Sequence, residues 1–139
     1  MPMRPADLGK LIAVGLCLIC TGCSDSITTN YATRSSAEGA LLFERGWLPR
    51  IIPESSTHIR VRSRLDTNQA EGEFYFDPPE FESFTANLAV YRSGEKDLDV
   101  ESLRGKLGSG YVAYRYVHDD SRWIFLIDKN RGHAVFRME

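Results

Sequence analysis

The run Trp123-Ile124-Phe125-Leu126-Ile127 is the feature that most constrains the fold. Successive side chains of a strand point to opposite faces, so five apolar residues in a row bury both faces. The run is therefore predicted to be a central strand that is covered by helix on at least one side. Strands are also predicted at Tyr111–Val117 and His133–Met138. Short polar turns join both to the central strand, so the three should form an antiparallel meander.

A second pair of strands is predicted upstream, where His58–Leu65 alternates between apolar and charged residues. This period of two is typical of a half-buried strand. The two sets are Ile59, Val61 and Leu65 on the core side and Arg60, Arg62 and Arg64 on the solvent side. After the turn residues Asp66-Thr67-Asn68, the segment Gly72–Phe76 should return as the second strand of a hairpin.

Two helices are predicted on capping and spacing grounds. Ala37–Leu48 has apolar residues at helical spacing, and Pro49 prevents its continuation. The second helix begins after Asp77, with Pro78 at its first position, and runs to about Ala89.

The segment Ser93–Gly110 is charged and interrupted by glycines, and we expect it to be mobile. Val100, Leu103 and Leu107 within it fit one or two amphipathic turns. The predicted fold class is α+β: a single, mostly antiparallel sheet of about five strands with two main helices packed on one face.

The N-terminal residues follow the pattern of an export signal. Basic residues precede the apolar run Leu11–Ile19, which is too short for a membrane span. The run ends in Cys20-Thr21-Gly22-Cys23 and resembles the signal peptide and lipobox of bacterial lipoproteins. The resemblance implies that a diacylglyceryl lipid is attached to Cys23, which becomes the mature N-terminus, although leucine is more usual than Cys20 at its position. Ser24 follows Cys23, and by the same resemblance this favours the outer membrane over the inner one.

The predicted division of the chain is a signal peptide at 1–22, a lipidated flexible tether at 23–36 and a single α+β domain at 37–139. Residues 24–36 are polar and lack periodicity, which is typical of a tether. An ordinary secretory signal that is cut near Gly22 is the alternative, and it would leave Cys23 as a free thiol. The three cysteines, at 17, 20 and 23, also have metal-cluster spacing, but they lie in an apolar run without a fourth ligand nearby.

A second resemblance rests on Gly46-Trp47-Leu48-Pro49, Pro53-Glu54-Ser55-Ser56, Ile59 and Leu65-Asp66-Thr67-Asn68. These residues resemble a group of small, mostly uncharacterised bacterial proteins, many of them lipoproteins, with Trp-Leu-Pro and Asp-Thr-Asn motifs. The resemblance covers residues 40–76 and implies one fold unit. It implies no catalytic residue.

The sequence offers few candidates for chemistry. His118, Asp119 and Asp120 are compatible with acid–base or metal chemistry, but a polar hairpin turn explains them as well. Asp66 and Asn68 match only part of a calcium loop. No serine has a Gly-x-Ser-x-Gly context, and no glycine-rich phosphate loop follows a strand. The sequence therefore predicts no metal and no cofactor, and it favours a protein that is not an enzyme without deciding the matter.

The row of Arg60, Arg62 and Arg64 is the one surface feature that suggests binding. A solvated sheet face is the simpler explanation. The functional interpretation is an electropositive patch that, together with Tyr75, faces an anionic partner, because arginine and tyrosine are enriched in binding hot spots.

The charge of the mature chain argues against nucleic acid as a partner. Removing Arg4, Lys10 and Asp7 with the signal peptide leaves 15 basic and 18 acidic residues, a formal net charge of −3. We predict a lipid-anchored, periplasm-facing protein of the bacterial envelope with a non-enzymatic binding or structural role. Its partner, an envelope protein or the cell wall, would bind the sheet face or the 93–110 segment. The alternatives are an envelope-acting hydrolase that uses His118, Asp119 and Asp120, and a periplasmic inhibitor or immunity protein.

Overall fold

The computed structural model describes residues 25–92 and 100–139. These residues form one sheet of seven strands, in which every neighbouring pair is antiparallel. The strands are β1 (Ser26–Thr33), β2 (Thr57–Arg64), β3 (Gln69–Tyr75), β4 (Ala89–Val90), β5 (Tyr111–His118), β6 (Ser121–Asp128) and β7 (His133–Met138). Their spatial order is β1-β2-β3-β7-β6-β5-β4, so the pairing of β3 with β7 joins the two halves of the chain.

The described helices are short. They are α1 (Arg34–Gly39), α2 (Phe81–Thr85) and α3 (Val100–Leu107), and a 3-10 turn at Pro78–Glu80 precedes α2. The predicted fold class of about five strands with two main helices on one face is therefore wrong. The sheet has two more strands than predicted, and α2 and α3 pack against opposite faces.

The predicted helix at Ala37–Leu48 is wrong in both position and length. α1 begins at Arg34, where the hydroxyl of Thr33 accepts a hydrogen bond from the Ser36 backbone N–H in a capping box. It ends at Gly39, and Leu41 then adopts a φ of +61°, which a right-handed helix does not allow. Phe43 and Leu48, two of the apolar residues that suggested a helix, are buried nevertheless, but from a series of turns. Leu41, another of them, is 51% exposed. The second predicted helix likewise ends at Thr85, short of Ala89.

The flexible tether predicted at 23–36 is also corrected, because Ser26–Thr33 forms the edge strand β1. Its backbone pairs with β2 along the whole strand, from Ser26 opposite Arg64 to Thr33 opposite Thr57. No alternation marks this strand in the sequence, because most of its side chains on both faces remain accessible to solvent.

The hairpin of β2 and β3 and the meander of β5, β6 and β7 confirm the predicted strand pairs. β6 is buried on both faces, as its apolar run indicated. On one face, Trp123, Phe125 and Ile127 belong to the main core. On the other face, Ile124 and Leu126 pack beneath α3.

The main core is an aromatic cluster between the sheet and the segment that contains α1, α2 and the 40–56 turns. Five phenylalanines lie within 6.5 Å of another phenylalanine ring, centre to centre: Phe74, Phe76, Phe84, Phe125 and Phe136. The second core is smaller, and α3 covers only the β5–β6 side of its face. No helix among the described residues covers the β1–β2–β3 part of that face. None of the described helices is long and apolar enough to cross a membrane.

Candidate binding face

The open part of the second face carries the predicted arginine row. Because β2 lies between β1 and β3, each arginine has one neighbour on either side. Arg60 lies between Asn30 and Glu73, and Arg62 lies between Thr28 and Glu71. Arg64 completes the row between Ser26 and Gln69. We call the surface formed by Arg60, Arg62, Arg64, Glu71 and Glu73 the arginine face.

The carboxylates of this face leave two of its arginines unpaired. Glu71 lies 3.7 Å from Arg62 and 3.5 Å from Arg137, so one carboxylate serves two guanidinium groups. Glu73, the cross-strand neighbour of Arg60, instead contacts His133 at 3.0 Å. Within residues 25–92 and 100–139, neither Arg60 nor Arg64 has an ion pair. The arginine face therefore carries an excess of positive charge although the chain as a whole is acidic.

The arginine face contains two adjoining depressions. The larger, of about 280 Å³, lies where Arg60, Arg62 and Glu73 approach the Leu103 and Leu107 side chains of α3. The smaller, of about 200 Å³, is lined by Arg64, Gln69 and the C-terminal residues of β7. Arg62, Glu71 and Arg137 line both. A ligand on this face would thus meet guanidinium groups and one apolar wall.

Tyr75 lies at one end of the arginine face, at the far end of β3 from Arg64. Its side chain is 46% exposed, and its ring stands 4.5 Å from that of His133. Together with Arg60 and Glu73, it lines a shallow depression of about 300 Å³ beside β1. The structure therefore places Tyr75 beside Arg60 and away from Arg64.

A chain of hydrogen bonds at the edge of this face was missed in the sequence. The Tyr111 hydroxyl lies 2.6 Å from His133 Nδ1, and His133 Nε2 lies 3.0 Å from the Glu73 carboxylate. A carboxylate only accepts, so the Nε2 atom of His133 donates to Glu73, and the other ring nitrogen shares a hydrogen bond with the Tyr111 hydroxyl. Tyr111 and His133 are both 7% exposed, so this arrangement orients the Glu73 carboxylate from a buried position.

We predict that Tyr111→Phe lowers the free energy of unfolding by about 1–3 kcal/mol, because a buried histidine nitrogen loses its partner. Tyr116→Phe is the matched control, since the Tyr116 hydroxyl makes no hydrogen bond within the described residues. Urea denaturation measures both. Equal stability of the two variants would contradict a structural role for the Tyr111 hydroxyl.

The cluster predicted at His118, Asp119 and Asp120 is only partly assembled. His118 Nε2 lies 3.4 Å from Asp119, but these side chains are 68% and 86% exposed. Both line a cleft of about 300 Å³ between the β5–β6 turn and the 43–50 segment, and Asp120 does not. The Glu44–Arg50 ion pair closes the other side at 2.8 Å. Hydrogen bonds from its own backbone N–H and from Arg50 hold the pKa of Glu44 below its usual range.

The other candidate ligands from the sequence do not form a binding site among the described residues. Asp66, Thr67 and Asn68 form the β2–β3 turn, where Asn68 has a φ of +52°. Among the residues that the structure describes, no three His, Cys, Asp or Glu side chains are arranged to hold a metal ion. Cys23 and the predicted signal peptide lie outside the described residues.

Residues 25–75 match the family model described as the YbbD head domain. The match covers β1 to β3, includes all three arginines of the row, and indicates similarity to an uncharacterised bacterial-type family. It overlaps the residues 40–76 on which the second resemblance rests, but it tests neither their motifs nor the lipobox. No curated protein and no solved structure matches the chain.

Proposed function

We propose that this protein is a lipid-anchored component of the bacterial envelope that binds the acidic surface of another envelope protein through its arginine face. The observation that carries the proposal is the pair of guanidinium groups, Arg60 and Arg64, that no carboxylate neutralises among the described residues. Both line depressions on the same sheet face, and the apolar wall of α3 lies beside Arg60.

Arginine is well suited to binding carboxylates. Its planar guanidinium offers several donors that match a carboxylate in a bidentate manner. Arginines held in a row on a strand repeat about every 7 Å, so they favour a partner that presents several carboxylates. Arg62, which already shares Glu71 with Arg137, helps to fix the row. Tyr75 and the leucines of α3 supply apolar contact at the margins.

The expected result of Arg60→Ser, Arg62→Ser and Arg64→Ser together is at least about tenfold weaker binding, or about 1.4 kcal/mol. Capture of envelope proteins from an extract, and binding of a fluorescent polyglutamate peptide, both measure it. Binding by the unaltered chain should also weaken as salt is added, because exposed charges are screened.

The matched control replaces the exposed arginines 45, 50 and 92 with serine, which removes the same charge elsewhere. If both triple variants lose binding equally, net charge and not the arginine face is responsible. If neither loses binding, the proposed site is wrong. Selective capture of a cell-wall polymer in place of a protein would replace the proposed partner class.

The lipid anchor is tested separately. We expect Cys23→Ala to move the protein from the membrane fraction to the soluble fraction, because stable attachment needs the acyl chains. Mass spectrometry of the mature N-terminus should show a modified Cys23, and fractionation should place it in the outer membrane. An unmodified Cys23 would refute the anchor without affecting the arginine face.

A further inference from the structure

We propose that two copies of this chain pair through the outer edges of β1, so that their sheets join into one continuous antiparallel sheet. Among the described residues, β1 is the outermost strand on its side and no other strand pairs with its outer edge. The inference is independent of the proposed function.

The edge is unusually well suited to pairing. Proteins protect exposed edges with short strands, charged residues or proline. The opposite edge of this sheet follows that rule, since β4 has only two residues. β1 has eight residues, Ser26–Thr33, and contains no charge, no proline and no glycine.

The direction of its backbone groups can be assigned. The Asp25 carbonyl accepts a hydrogen bond from the Leu65 N–H at 3.2 Å, so Asp25 faces the β2 side. Alternate residues of an antiparallel strand face the same neighbour. Ile27 and Thr29 therefore also face β2, and the backbone groups of Thr28 and Asn30 point outward.

The side chains of β1 favour a second copy of β1 as the strand that pairs with its outer edge. A two-fold axis normal to the sheet must place one residue opposite itself, and an axis at Thr29 pairs the outward-facing Thr28 with the partner's Asn30. In this register Ile27, which is 51% exposed, lies opposite the partner's Tyr31. Pairs of an aromatic with a β-branched residue, and of threonine with threonine, stabilise antiparallel sheets.

Charge does not oppose this pairing. No charged residue lies within the paired strands, and the nearest charges, Asp25 of one copy and Arg34 of the other, have opposite signs. The two arginine rows would lie on the same face, three strand spacings or about 14 Å apart. That separation exceeds the Debye length of about 8 Å at physiological ionic strength. Dimerisation would thus create a broad face with an arginine row on each side of two uncharged strands.

Sedimentation of the full chain in detergent, with Thr28→Pro and Thr28→Ala as a matched pair, tests the edge. Proline at 28 removes an outward N–H without removing a β1–β2 hydrogen bond. We expect a dimer for the unaltered chain and for Thr28→Ala, and a monomer for Thr28→Pro with circular dichroism unchanged. A monomeric unaltered chain, or a dimer that survives in Thr28→Pro, would overturn the proposal.

Oxidative cross-linking tests the register. Thr29→Cys places two cysteines opposite each other with Cα atoms about 4.5 Å apart, within the range of a disulfide. In Thr33→Cys the two cysteines would be about 27 Å apart. We expect a covalent dimer from Thr29→Cys only, above the background of the unaltered chain with its own cysteines. Cross-linking of Thr33→Cys equal to or greater than that of Thr29→Cys would refute the pairing.

Discussion

Replacing Gly72 with alanine is expected to destabilise the protein by about 3 kcal/mol or more, the upper range for overpacking. A Cβ at this position would lie 1.9 Å from the Arg60 carbonyl oxygen and 2.8 Å from Phe136 Cζ. The first contact is with backbone, so it cannot be relieved by turning a side chain. β2 and β3 would have to separate at the centre of the arginine face.

Gly105→Ala is the matched control, because Gly105 lies in α3 and a Cβ there has nothing within 4 Å. Alanine in a helix is favoured over glycine by about 1 kcal/mol, so this variant should be slightly more stable than the unaltered chain. Thermal unfolding measures both changes, since 1 kcal/mol corresponds to about 4–8 °C in a domain of this size. A Gly72→Ala variant that unfolds at the unaltered temperature would show that β2 and β3 are not packed as described.

The second large effect is expected for Phe74→Ala, with a loss of about 3–5 kcal/mol. The Phe74 side chain is fully buried and its ring neighbours those of Phe76, Phe84, Phe125 and Phe136. Its removal leaves a cavity that rigid aromatic neighbours fill poorly. Because stabilities of whole domains are about 5–15 kcal/mol, such a loss removes a large share of the free energy of unfolding.

Phe81→Ala makes the same chemical change at a partly buried position, where the ring contacts Tyr114 and lies beneath Lys129. We expect a distinctly smaller loss there. Urea denaturation measures the free energy of unfolding of both variants, with the dependence on urea concentration (the m-value) held equal in the fits. Losses of similar size would indicate that Phe74 is not at the centre of the core.

The strands that short turns connect could be predicted from the sequence. β5, β6 and β7 follow one another through tight turns, and β6 carries an apolar signal on both faces. The turns therefore determine the pairing, and burial determines the central position. β1 could not be found in this way, because it packs at an edge and its residues are mostly small and polar.

Apolar periodicity also predicted a helix at Ala37–Leu48, where buried side chains belong largely to turns. Phe43 and Leu48 are buried as their spacing suggested, yet Leu41, which the spacing also assigned to the buried side, is 51% exposed and has a φ of +61°. Spacing indicated some of the side chains that reach the core, but it missed Leu42 and wrongly included Leu41. It did not indicate the backbone that brings them there.

The arginine row was predicted because all three residues lie on one strand. The competing contacts of Glu71 and Glu73 were not, since they are made with residues of β7. That pairing places Glu71 opposite Arg137 and Tyr75 opposite His133, across about 60 residues of sequence. No local pattern encodes such a contact, so the excess charge of Arg60 and Arg64 could be recognised only in the folded chain.

The start of β1 at Ser26 changes how a lipid at Cys23 would hold this protein. Thirteen flexible residues would have allowed a reach of roughly 20 Å, whereas the three residues 23–25 span at most about 10 Å when fully extended. An anchored domain would then be mounted close to the lipid headgroups by one corner of its sheet, with little freedom to tumble. Its encounters would be governed by lateral diffusion in the membrane, and its partners would have to come to the bilayer surface.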